Sequence, residues 1–233
     1  EQKVARSYVL YREERKQLRQ KEAPQKEEKE GINITLENGD EDTLDIKHLE
    51  TMVAEACEGL EGTNAQNIID EANKNLYDGV TEEDARTSLV MTSRTLVEQE
   101  PNYTYVTARI LLDNIRTEAL TYLGMQKQAT QKEMENLYPQ ALRNFLAKGV
   151  ENEILNPELL EMDIEKLGEA INVTRDTNFT YLGLQTLYDR YFIHDTEVRY
   201  ELPQVFFMRV SMGLALREEK SCLLYTSDAA DDD

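Results

Sequence analysis

The chain of 233 residues has no tryptophan, two cysteines (Cys57 and Cys222) and two histidines (His48 and His194). So few thiols exclude a disulfide framework, and so few Cys and His exclude a Cys/His zinc site. No apolar run approaches the ~18–20 residues that a membrane span needs. Basic residues are also scarce: 26 Lys and Arg stand against 46 Asp and Glu, a net charge of −20. A field of that sign repels phosphate, so neither nucleic acid nor a membrane surface is an expected partner. The first residues, Glu1-Gln2-Lys3, lack a starting Met and the apolar core of a signal peptide. They read as a cut, and the expected setting is cytoplasmic. With five prolines and ten glycines, long stretches are left free for helices. The composition predicts a mainly helical, acidic protein of one domain or two small ones.

Residues 1–22 read as a helix with Val4, Tyr8, Tyr11 and Leu18 on one stripe, the last helix of something larger. Residues 22–31 (EAPQKEEKEG) have linker composition. A strand over Ile32–Leu36, the turn Glu37-Asn38-Gly39-Asp40 and a return strand at about Glu41–Leu44 predict a hairpin, because Asn-Gly accepts the positive φ of a tight turn. Asp45 suits an N-cap, and Ile46, Leu49, Met52, Val53, Ala56 and Leu60 recur at helical spacing up to Gly59 and Gly62. Further helices are predicted over 65–77, 82–99 and 102–123. Thr81 with Asp84 resembles a capping box, and Pro101 sits near the first turn of the last of these helices.

Gly124 to Thr130 reads as a boundary. Beyond it a helix should turn Met134, Leu137, Tyr138, Ala141, Leu142 and Phe145 inward, followed by an irregular stretch at Asn156-Pro157 and helices near 164–171, 179–193 and 203–217. The last is apolar on most sides, which predicts deep burial against protein outside this chain. Residues 220–233 break the pattern and resemble translated adapter read-through, in which case Cys222 is no natural cysteine.

Four runs carry a resemblance: NLYDGV (75–80), EPNYTYVTARILLDNIR (100–116), FTYLGLQTLYDRYFI (179–193) and ELPQVFFMRVSMGLAL (201–216). Collinear over about residues 1–219, they make the chain resemble the N-terminal part of the large, catalytic subunit of class I ribonucleoside-diphosphate reductase. The helix VARSYVLYREER (4–15) resembles the closing helix of an ATP-cone, the family's regulatory nucleotide-binding module. Residues 32–123 resemble a second cone, so the chain is similar to the bacterial type with two cones in tandem. An echo of Ala5-Arg6 and Val9 in Ala108-Arg109 and Leu112 fits a duplication. Residues 126–219 resemble the helical N-terminal layer of the catalytic domain, ending before the α/β barrel.

The resemblance implies a parent enzyme that reduces ribonucleoside diphosphates by thiyl-radical chemistry. It implies ATP and dATP as allosteric effectors, other large subunits as partners, and a small subunit carrying a dimetal radical cofactor. It implies no cofactor in this chain and no activity of its own, since the reaction needs a radical cysteine and a reducing cysteine pair in the barrel. Cys57, on the stripe beside Val53 and Ala56, reads as a packed thiol. A reading from another class is an independent helical nucleotide-sensing or oligomerisation module.

A working cone in the family opens Val-x-Lys-Arg-Asn/Asp-Gly, and the lysine and turn amides meet the phosphates. Here the run is Ile34-Thr35-Leu36-Glu37-Asn38-Gly39. Leu36 stands for the lysine and Glu37 adds a negative charge. Asp42 and Asp45 stand for the usual Glu and Asn, Glu82 for a contacting Thr, Arg86 for a contacting His, and Thr117 for a Lys. A triphosphate demands cations, so the second cone is expected to be degenerate, a spacer or docking surface. The resemblance then puts the effector site in the first cone, with Arg12 and Arg15 as remnants of its nucleotide pocket. His48 reads as a helix-rim residue and His194 as a helix-end residue favourable to the dipole. Tyr181, Tyr188 and Tyr191 read as a core-packing helix stripe.

Overall fold

A computed structural model describes residues 33–35, 41–43, 46–74, 80–126, 128–196 and 198–217. The expected helix with Arg12 and Arg15, the linker, Leu36, the turn 37–40, Asp45, residues 75–79 and the tail with Cys222 lie outside the described residues.

Strands β1 (Asn33–Thr35) and β2 (Glu41–Thr43) pair antiparallel, with Ile34 opposite Asp42. This is the expected hairpin pairing. A third strand, β3 (Val80–Thr81), adds in parallel to β1 to give the order β2-β1-β3. Two residues are too few to show a period of two, so this strand was not readable from hydrophobic pattern.

Helix α1 (Ile46–Cys57) buries Leu49, Met52, Val53 and Ala56, the predicted stripe. It ends where Gly59 and Gly62 take φ of +74° and +76°, values that carry little steric cost only without a Cβ. In α2 (Ala65–Asn73), Asn64 Oδ1 accepts from the Gln66 amide as N-cap. In α3 (Glu82–Thr95), Thr81 Oγ1 accepts from the Asp84 amide at 3.0 Å, so the capping hydroxyl works as expected. A 3-10 turn, Leu96–Glu98, closes this helix before Pro101.

The long helix α4 (Tyr103–Tyr122) is buried along much of its circumference, with Val106, Ile110, Ile115, Ala119 and Leu120 fully enclosed. It packs against α1 and α3 on one side and against α7 (Tyr181–Arg190) on the other. The composition boundary at 124–130 is therefore no break in packing: the helices before and after it share one hydrophobic core. The sharing is possible because α4 has apolar residues facing both ways.

Helix α5 (Met134–Glu151) turns Met134, Tyr138, Ala141, Leu142 and Phe145 inward as predicted, with Leu137 half-buried. A 3-10 segment, Pro157–Glu161, follows, and then α6 (Ile164–Glu169) lays its backbone on α5. The close approach is made at Gly168, where a Cβ would sit 2.9 Å from the Pro139 Cα. A further 3-10 segment, Val173–Asn178, leads to α7, which stops at Arg190, earlier than the predicted 193. In its place β4 (His194–Asp195) and β5 (Val198–Arg199) form a small hairpin, with Thr196 at φ +53°.

Helix α8 (Pro203–Leu214) starts with Pro at its first position and buries Val205, Met208, Ser211 and Met212. Its other flank is open: Phe206, Phe207 and Val210 are half-buried and Leu214 is 71% exposed. The expected burial on all sides is thus not provided by the described residues. Among the described residues no helix is long and apolar enough to cross a membrane.

Candidate functional site

Strand β3 runs directly into α3, and α3 packs on α4. Of the positions that the resemblance assigns to nucleotide contact, Arg86 on α3 and Thr117 on α4 have described side chains. Arg86 is buried, and its Nη1 donates to Asp113 Oδ2 at 2.7 Å. His48, from α1, brings its Nε2 to 3.8 Å from the same oxygen. Thr117 Oγ1 donates to the Asp113 main-chain carbonyl at 3.0 Å, one turn back. Burial alone would raise the Asp113 carboxyl, but His48 and Arg86 outweigh it and hold it below the ordinary carboxylate value. The Arg86 guanidinium and the Thr117 hydroxyl are thus both turned onto Asp113.

One turn along α4 a second buried cluster begins. Arg116 Nη2 donates to Asp176 Oδ2 at 3.1 Å and also to Gln131 Oε1. Asp176 accepts from Tyr138 (2.6 Å) and from Gln204 (2.9 Å) as well. Burial, and then the charge of Asp176, push the Tyr138 phenol well above its usual value, so it stays a donor. Between the clusters lies a recess of about 50 Å³ bordered by Ala56, Arg109, Asp113, Arg116, Gln131 and Thr177. The recess has room for water.

Arg109, the arginine of the sequence echo, donates through Nη1 to the carbonyls of Ala56 (3.0 Å) and Glu58 (2.8 Å). It closes the C-terminus of α1, where carbonyls lack partners. Cys57 next to it is a free, half-buried thiol. Burial raises its pKa more than Thr63 and Arg109 lower it, so it is no activated nucleophile.

Two sequence readings need correction. His194 is not at a helix end: it is exposed in β4, with Nδ1 3.2 Å from the Thr196 carbonyl oxygen. Tyr191 leaves the expected stripe because α7 has ended, and it is 56% exposed. Tyr188 instead donates to Glu118 at 2.8 Å under the guanidinium of Arg199. Arg12 and Arg15 fall outside the described residues. The acids that organise the interior, Asp113, Asp176 and the fully buried Glu201, which accepts from the Ile193 amide at 2.9 Å and pairs with Arg209, were not singled out from sequence. Their available signal was a charge inside an apolar run, as in Leu111-Leu112-Asp113 or Tyr200-Glu201-Leu202. Among the described residues, no group of three or more His, Cys, Asp and Glu is placed to hold a metal.

Comparison with known proteins agrees with this layout. Residues 32–118 match the ATP cone domain family, and residues 177–232 match the family described as ribonucleotide reductase, all-alpha domain. The chain is 36% identical over 226 residues to the ribonucleoside-diphosphate reductase subunit alpha of Chlamydia muridarum, covering 93% of this chain and 21% of that protein. The Chlamydia trachomatis protein of that name is 37% identical over 223 residues, with the same shares. For Helicobacter pylori the figure is 28% over 191 residues, 81% of this chain and 23% of the relative. The chain spans about a fifth of the length of the curated relatives it matches. Its mainly helical fold, a cone followed by an all-alpha region, is the arrangement of those two families.

Proposed function

We propose that this chain is the N-terminal regulatory and structural part of the large subunit of a class I ribonucleoside-diphosphate reductase, inactive by itself. The observation that carries the reading is the collinear likeness, over nearly the whole chain, to proteins named as that subunit, with a cone ahead of an all-alpha region. The parent enzyme would supply deoxyribonucleotides. Its partners would be further large subunits and a small subunit bearing a dimetal radical cofactor. Residues 1–22 would close a first, effector-binding cone containing Arg12 and Arg15, and residues 23–31 would link it to the second.

Within that reading, the second cone is a spacer that does not respond to ATP or dATP. Its support is the Arg86–Asp113 pair, in which a buried guanidinium already has its anion. A phosphate would have to displace a carboxylate that burial and two partners hold in place.

Two tests decide the reading. Recovering the uninterrupted gene beyond residue 219 should reveal a barrel with a radical cysteine and a reducing pair; an early stop codon would instead favour an independent module. The purified chain, mixed with any small subunit and effector, should form no deoxynucleotide. Turnover above background would overturn the assignment of the catalytic cysteines to other sequence.

A further inference from the structure

Three buried or half-buried polar side chains stand on α4 at Arg109, Asp113 and Arg116, the i, i+4, i+7 spacing that puts them on one stripe. Each engages a different element. Arg109 holds the C-terminal carbonyls of α1, Asp113 holds Arg86 of α3, and Arg116 holds Asp176 in the segment before α7. We infer that this polar seam on α4 is a coupling device, making the cone helices and the helices after Gly124 open as one cooperative unit.

Asp176 is the far anchor. Its side chain is fully enclosed, and it takes one donor from each of three elements: Arg116 on α4, Tyr138 on α5 and Gln204 on α8. Gln131 adds a bridge, accepting from Arg116 and donating to the Val173 carbonyl at 2.9 Å. Any tilt of α4 against α5 or α8 leaves a buried charge or a buried donor without its partner, and each such loss is costly in an interior. An apolar contact can slide at small cost; this contact cannot. The seam therefore fixes one orientation of the cone on the following helices. That is the property a spacer needs if it is to pass on the position of whatever precedes it. This last step rests on the spacer reading above, whereas the coupling itself does not.

The test is hydrogen–deuterium exchange on the full chain without nucleotide. Leu167→Ala makes a cavity where α6 meets α5 and removes none of the hydrogen-bonding groups of the seam. In the otherwise unaltered chain it should speed exchange in α1 and α3 by the same factor as in α5 and α6, about 30-fold or more. In the Asp176→Asn background the same substitution should speed α5 and α6 and leave α1 and α3 unchanged. Arg116→Gln replaces Asp176→Asn if that variant does not accumulate folded. If Leu167→Ala never reaches α1 and α3, the two parts were not coupled and the inference fails. If it reaches them equally in both backgrounds, the apolar core does the coupling and the seam does not. A cone that binds dATP would refute the spacer reading while leaving these exchange results intact.

Discussion

Arg86 and Asp113, 27 residues apart in the chain, meet at 2.7 Å with both side chains less than a tenth exposed. A buried ion pair of this kind is weak as a source of stability, since desolvation offsets most of the attraction, but breaking it leaves a bare charge in the interior. The pair also engages the one described cation that stands at a nucleotide-contact position of the resembled family.

The asymmetry gives a first prediction. Asp113→Ala should cost about 3–5 kcal/mol, because Arg86 loses a partner it cannot replace with solvent. Combining Arg86→Met with Asp113→Leu should recover most of that loss, since no charge is then buried. Urea unfolding midpoints of the two proteins check this. A double variant as unstable as the single one would show that the damage came from packing.

A second prediction concerns Gly168. Its missing Cβ is the space that Pro139 fills, the clash being with backbone and ring atoms that cannot swing away. Gly168→Ala should destabilise by about 1–3 kcal/mol, the usual cost of overpacking. Gly213→Ala, with nothing within 4 Å of the added carbon, is the matched control and should be neutral or slightly stabilising. Thermal melts that rank the two in the opposite order would contradict the α5–α6 contact.

Base lability follows from the tyrosines. Burial, followed by the hydrogen bond to Glu118, raises Tyr188 far above its ordinary 10.0, and Tyr138 is raised as well. Above pH 10 the unfolded chain releases these protons and the folded chain does not, so the unfolded state binds fewer protons and stability falls as pH rises. Each such group contributes a slope of up to about 1.4 kcal/mol per pH unit. Tyr188→Phe should reduce that slope, which chemical unfolding at a series of alkaline pH values measures. An unchanged slope would mean that Tyr188 ionises freely in the folded protein.

The elements with long apolar periodicity were legible in the sequence: α1, α4 and α5 fall where Leu49 to Ala56, the run 102–123 and Met134 to Phe145 put them. Caps were legible too, as at Thr81, because the capping hydroxyl acts within three residues. What escaped was non-local or short. Strand β3 exists only because β1 lies beside it, and the 194–199 hairpin ends α7 before its apolar pattern stops at Phe192-Ile193. The partners of Arg86 and Arg116 lie 27 and 60 residues away, beyond any local rule. For the candidate site, the sequence showed which contact positions had lost their phosphate chemistry. It did not show that Arg86, the cation that remained, was already neutralised.

The central claim, that the cone at 32–123 holds no nucleotide, is tested most directly by isothermal titration of the whole chain with dATP. Losing two charge-assisted hydrogen bonds at roughly 1.5–3 kcal/mol each weakens binding by at least ~10²-fold. The account predicts no saturable heat through the micromolar range. A dissociation constant in the low micromolar range or tighter would contradict it, and would mean that the cone meets the nucleotide through contacts at positions other than those where it departs from the family's pattern.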